Sequence, residues 1–217
     1  MTGDLLKCSA LATRTIANVS ESLAEKLGLK PEFRSIGILT ADSDDVTYCA
    51  LDEATKAAAV EVVYGRSLYA GAANANTRLA GEVIGILAGP NPSEVLSGLR
   101  AAVDFFESGV GFRSANEDDS IVYFAHTVSR TGSYLSKTAG VREGEALAYL
   151  IAPPMEAVVG LDEAMKAADV TLAALFEPPS ETNFGGGLLT GTQSACKAAC
   201  EAFAAAVLDV SGRPREV

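Results

Sequence analysis

"LDEATKAAAV" runs from Leu51 to Val60 and "LDEAMKAADV" from Leu161 to Val170, and the two decapeptides differ only at Thr55/Met165 and Ala59/Asp169. Their separation of 110 residues, in a chain of 217, puts one copy in each half. A period this long marks a duplicated domain. Solenoid repeats recur at about 20 to 50 residues.

The likeness extends in both directions. Backwards without a gap, "SIGILTADSDDVTYCA" (Ser35 to Ala50) faces "EALAYLIAPPMEAVVG" (Glu145 to Gly160), and each reads as an apolar strand, a break and a helix. The break is Asp-rich in the first copy and Pro153-Pro154 in the second, where a first helical turn loses no N–H bond to proline. Earlier still, "TIANVSESLAEKLG" (Thr15 to Gly28) matches "TVSRTGSYLSKTAG" (Thr127 to Gly140), each after an apolar, strand-like segment. Forwards, "VEVV" and "VTLAALF" read as second strands, and "GEVIGILAG" (Gly81 to Gly89) and "GGLLTGTQS" (Gly186 to Ser194) as third strands. Each copy closes with an Ala-rich amphipathic helix, "PSEVLSGLRAAVDFFE" or "SACKAACEAFAAAVLDV". The stretch "ESGVGFRSANEDD" (Glu107 to Asp119) reads as a linker. The expectation is two α+β domains, 1–111 and 112–217, in a chain suited to be a pseudo-symmetric subunit of a ring.

Composition narrows the function. With 48% apolar and 21% charged residues the chain has material for one or two cores. No apolar run approaches the roughly 20 residues of a membrane helix, and "MTGDLLKCSALATRT" lacks a signal pattern, so a cytosolic protein is expected. A net charge of -11 without a Lys/Arg cluster excludes a nucleic-acid-binding face. Cys8, Cys49, Cys196 and Cys200 are too irregularly spaced for a disulfide scaffold and are expected as buried thiols.

The order of elements, with "DEAMKAADV" ending a helix and "GGG" before the third strand, resembles the shell-forming domain of bacterial microcompartments. Two such domains in one chain resemble the trimer-forming, tandem-domain shell proteins. The strings "ADSDDVTY", "DEATKA", "VVYGRSLYAGA", "AGPNPSE", "VSRTGSYLS", "PPSETNF" and "SACKAAC" are similar to the L-type shell proteins of ethanolamine utilisation, over nearly the whole chain. The resemblance implies two tandem, circularly permuted ferredoxin-like domains and a pseudo-hexameric homotrimer. It implies tiling edge to edge with other microcompartment shell proteins, in a shell within the bacterial cytoplasm, and no catalysis. It requires no cofactor, and leaves large cofactors such as cobalamin as candidate ligands or passengers of a pore.

Asp42, Asp44 and Asp45 are the sharpest polar feature. Helix capping accounts for one acid at a helix start, worth about 1 kcal/mol, and the second copy opens its equivalent helix with none. The surplus suits a cation, either Mg²⁺ or Ca²⁺ given converging oxygen ligands, or a small organic amine. The resemblance selects ethanolamine, and implies a site at Asp44, Asp45, Glu82, Phe112, Thr182, Asn183 and Phe184. Carboxylates would take the ammonium, a polar group the hydroxyl, and an aromatic face would add cation–π attraction.

Lys56 and Lys166 recur in the decapeptide. An isolated helix lysine is usually a solvated surface residue, but the resemblance implies a place on the tile edge, where the aliphatic stem packs across the contact. The long segment Tyr64 to Gly81, rich in small residues and Asn, reads as a loop; the resemblance makes Tyr69, Ala70, Gly71, Ala72, Ala73 and Asn74 a pore loop that opens and closes.

Other motifs carry less. "NFGGGLLTG" lacks the lysine and spacing of a phosphate loop. Cys196 and Cys200 share a helix face without two further ligands, so inert packing is expected, and His126 is the chain's single histidine. With no nucleophile–base pair and no metal motif, an enzyme ranks third. The reading that competes with a shell tile and pore is a small-amine-binding regulatory protein.

Overall fold

The computed structural model describes residues 1–68, 77–178 and 183–215. These fall into two compact units. The N-terminal unit comprises Cys8–Val110 with Gly132–Leu135, and the C-terminal unit Met1–Lys7, Gly111–Thr131 and Ser136–Val217. The sequence halves thus exchange two short segments.

The N-terminal unit contains β1 (Ala10–Ile16), α1 (Glu21–Lys26), β2 (Ser35–Ala41), α2 (Asp44–Ala57), β3 (Glu61–Ser67), β4 (Val83–Gly89) and α3 (Pro92–Glu107). The second half repeats the order after one added strand, β5 (Arg113–Ser114): β6 (Val122–Val128), α4 (Ser133–Ala139), β7 (Ala146–Ala152), α5 (Pro154–Ala167), β8 (Val170–Phe176), β9 (Gly185–Gly191) and α6 (Gln193–Gly212). The sheets run β1-β2-β4-β3 and β5-β6-β7-β9-β8, and every pairing is antiparallel. Counted from β2, with β1 moved to the end, the first unit is the β-α-β-β-α-β arrangement of ferredoxin-like folds. This is the tandem, permuted α+β fold expected from the duplication.

Alternation along the strands explains how the first sheet is covered. Gly37 and Gly85 let the helices approach: a Cβ on Gly37 would sit 2.7 Å from Val95 of α3, and one on Gly85 2.7 Å from Leu51 of α2. The opposite parity carries Ile36, Ile86 and Ala88, which cluster with Val19 against Ala24 and Leu27 of the α1 region. Leu39, Val46, Leu51, Leu87 and Val95 are fully buried, each worth roughly 1.5–3 kcal/mol relative to exposure. In the C-terminal unit Leu150, Leu189, Leu161 and Phe203 form the equivalent core, and Gly160 lets the Phe203 ring close on α5.

The stretch read as a linker is partly built into the sheet. Arg113 pairs with Tyr123 and Ser114 with Val122, while Gly3 N donates to Ser114 O at 2.8 Å and Leu6 N to Phe112 O at 2.8 Å. Backbone pairing makes this edge, without the apolar alternation by which a strand shows itself in a sequence. Cys49, Cys196 and Cys200 are buried free thiols, as expected; Cys8 is half-buried.

Candidate functional site

Asp42 and Asp44, before and within the first turn of α2, take different partners. Asp42 Oδ1 accepts the Ser9 N–H at 2.6 Å, toward the start of β1. Asp44 Oδ1 accepts the Asp45 N–H at 2.9 Å, and its Oδ2 accepts the Ser67 hydroxyl at 3.2 Å, at the end of β3. Asp45 is buried. The N-cap residue is none of these but Ser43, whose side chain makes no capping bond. Among the described residues the buried Ser43 Oγ has no hydrogen-bond partner, the single side-chain oxygen of which this holds.

Glu82 enters the same region through the backbone. Its N–H donates to Ala41 O at 2.8 Å, and its carbonyl accepts the Leu68 N–H at 2.5 Å and the Ser67 hydroxyl at 3.4 Å. The preceding Gly81 has φ +66°, and a Cβ there would lie 2.2 Å from Ala41 O, so no other residue fits this turn without displacement. Asp44, Asp45 and Glu82 are therefore gathered around the ends of β2, β3 and β4 of one unit. Ser43 and Ser67 join them; sequence reasoning missed both, because a serine beside three acids carries no signal of its own.

The other residues implied for the site lie in the C-terminal unit. The Phe112 and Phe184 rings meet edge to face at 5.9 Å, and Phe112 also packs on Phe124 at 5.4 Å. Asn183 takes a left-handed backbone, φ +67°, as asparagine does more readily than most residues. Thr182 lies outside the described residues, as do Tyr69, Ala70, Gly71, Ala72, Ala73 and Asn74 of the pore loop. Two clusters result, one acidic and one aromatic, each formed within its own unit.

The two repeated lysines differ in setting. Lys56 is 13% exposed, is ion-paired with Glu53 and lies 3.7 Å from the buried Asp52. Lys166 is 63% exposed and bridges to Asp162 at 2.5 Å and Glu163 at 3.2 Å. One decapeptide thus serves a covered and an open position.

Among the described residues no group of three metal-ligating side chains occurs, and no helix is long and apolar enough to cross a membrane. "GGGLLTG" is the strand β9 rather than a loop opening a helix. His126 stacks on Phe124 at 5.7 Å and lines a surface groove of about 700 Å³ with Thr127, Ser129, Gln193, Ser194 and Lys197. A groove of about 440 Å³ between β1 and α3 occupies the equivalent place in the first copy. Neither touches the acidic cluster. Burial pushes the Cys200 thiol up to about 11, with Thr127's hydrogen bond opposing, and burial also pushes Cys8 to about 11.

The family model of the BMC domain matches residues 35–115. The chain is 67% identical over 214 residues to the bacterial microcompartment shell protein EutL of Clostridium perfringens, covering 99% of each chain. It is 57% identical over 211 residues to EutL of Salmonella typhimurium, covering 97% of this chain and 96% of that one. The crystal structure of the ethanolamine utilization protein EutL from Leptotrichia buccalis matches with a TM-score of 0.98 at 69% identity, over 100% of both chains. A trimeric microcompartment shell protein, PduB, shares the fold at 21% identity, with a TM-score of 0.74 over 94% of this chain and 89% of that one.

Proposed function

The chain belongs to the bacterial microcompartment shell proteins, and from that premise we propose that it is a homotrimeric tile and pore of the ethanolamine-utilisation shell that binds ethanolamine. A shell protein of this family is structural and not an enzyme. Its surroundings are the shell itself, within the bacterial cytoplasm, where it meets other shell proteins edge to edge. Full-length identity to the EutL proteins is the observation that carries this reading.

The acidic cluster supports a small cationic ligand. Asp44 and Glu82 are half-buried and Asp45 is buried, beside a Ser43 hydroxyl with no partner among the described residues. Carboxylates suit the ammonium, and the serine suits the hydroxyl. Phe112, Thr182, Asn183 and Phe184 are proposed as further ethanolamine-binding residues. The pore loop at Tyr69, Ala70, Gly71, Ala72, Ala73 and Asn74 is proposed as the gate for metabolites, and cobalamin as a large passenger to test alongside ethanolamine. Lys166 and Lys56 are proposed as edge residues; Lys166→Asp, the more exposed of the two, is expected to abolish sheets in electron microscopy, and normal sheets would refute that role.

Affinity is bounded by ligand size. At about -1.5 kcal/mol per non-hydrogen atom, ethanolamine's four atoms give at most roughly -6 kcal/mol, a Kd no tighter than about 40 μM. Calorimetric titration of the wild-type protein with ethanolamine tests the site. Saturable binding weaker than that bound is expected, and no heat up to about 100 mM, far beyond the bound, would overturn it.

A further inference from the structure

The groove of about 440 Å³ between β1 and α3 brings two arginines together in an acidic protein. Arg14, with Thr13 and Thr15, lines it from β1, and Arg100 lines it from α3. Leu96, Leu99 and Val103 supply its apolar surface, and Asp104 is its single acid. The chain has 28 acidic residues for 17 basic ones, so a guanidinium seldom lacks an acid to pair with. Arg142 and Arg213, for instance, are ion-paired with Glu145 and Asp209. Neither arginine of the groove forms an ion pair among the described residues. Arg14 Nη1 donates to Thr13 O at 2.9 Å, which holds the guanidinium beside β1, and Arg100 is exposed.

The duplication shows that the fold does not require this pair. Aligned along β1 and β6, Arg14 stands where the second copy has His126, and Thr13 where it has Ala125. Aligned on the N-caps Asn91 and Thr192, Arg100 stands where α6 has Glu201, and Leu96 where it has Lys197. The buried side of each helix keeps its register, with Val95, Leu99 and Phe106 of α3 facing inward as Cys196, Cys200 and Val207 of α6 do. Arg100 is therefore off the packed face. Its counterpart Glu201 has a side chain 70% exposed, so the same position of the helix is open to solvent in both copies.

Two guanidiniums are too few to follow a nucleic-acid backbone, where several phosphates are neutralised at once. They suit one phosphoryl group, whose oxygens take bidentate N–H bonds that a lysine does not match. The hydroxyls of Thr13 and Thr15 add donors on the β1 side, while Leu96, 41% exposed, offers apolar surface to the rest of a ligand. The volume falls within the range of about 300–1,000 Å³ usual for small-molecule sites.

We propose that the β1/α3 groove binds a small organic phosphate, with Arg14 and Arg100 on the phosphoryl group and Leu96, Leu99 and Val103 against the apolar part. The site is separate from the acidic cluster and takes a ligand of opposite charge.

Calorimetric titration of the full chain with phenyl phosphate, inorganic phosphate and phenol tests it. Saturable binding of phenyl phosphate is expected, with both fragments weaker. Arg14→Gln with Arg100→Gln is expected to weaken it at least about tenfold. Asp104→Asn removes the groove's one repulsive charge and is expected to tighten binding severalfold, a gain that misfolding does not imitate. Both arginines are exposed, so circular dichroism of the double variant should match wild type; should it not, Asp104→Asn carries the test. No saturable heat from phenyl phosphate up to about 20 mM would overturn the site. Unchanged affinity in the folded arginine variant, or in Asp104→Asn, would remove the phosphoryl group from this groove. Phenol binding as tightly as phenyl phosphate would do the same, and inorganic phosphate binding as tightly would overturn the organic ligand in favour of free phosphate.

Discussion

Asp44 and Ser67 are joined at 3.2 Å, tying the first turn of α2 to the last residue of β3 across 23 positions of sequence. The bond orients one carboxylate oxygen, while the other is occupied by the Asp45 N–H. Ser67→Ala removes one hydrogen bond from a half-buried acid, so a stability loss of about 1 kcal/mol is expected in urea denaturation. Ethanolamine affinity should fall severalfold in calorimetry, because Asp44 loses its fixed rotamer. Unchanged affinity would remove Asp44 from the site.

The paired change Asp45→Asn with Glu82→Gln keeps shape and removes two charges. Ethanolamine binding is expected to weaken at least about tenfold, since charge-assisted bonds are roughly twice as strong as neutral ones. Equal heats of titration for variant and wild type would reject an acidic ammonium site.

Gly81→Ala tests whether the turn sets Glu82. Its Cβ would meet Ala41 O at 2.2 Å, in a left-handed backbone. A loss of about 1–3 kcal/mol is expected in thermal or urea unfolding, together with weaker ethanolamine binding. A stable variant that binds normally would show that the backbone at Glu82 tolerates displacement.

Alkaline pH should destabilise the fold through its thiols. Burial lifts Cys200 to about 11 from the ordinary 9.0, so the folded chain keeps this proton where the unfolded chain releases it. That contribution is fully present below about pH 9 and is lost as pH rises toward 11. The stability gap between wild type and Cys200→Ala should therefore narrow between about pH 8 and about pH 10.5 in urea denaturation. A constant gap would contradict the burial argument.

The decapeptide and its flanks carried the fold into view because strand and helix periodicities survive duplication. Leu51 and Leu161, in equivalent places, are both core residues. Burial and partners are less legible. Lys56 and Lys166 stand in near-identical strings, yet one is covered and the other open. Asp52 and Asp162 diverge in the same way, because a segment 80 residues downstream reaches only the first. The acids of the candidate site stood out as charges without a capping requirement. Ser43 and Ser67 did not, since their part depends on a missing partner and on a long-range bond. The edge strand β5 is two residues long, too short for any pattern.

Electron microscopy of the concentrated wild-type protein tests the central claim most directly. A tile with repeated edges should form extended, hexagonally packed sheets. Discrete particles at every concentration, with no lateral order, would contradict a shell tile and favour a soluble amine-binding protein.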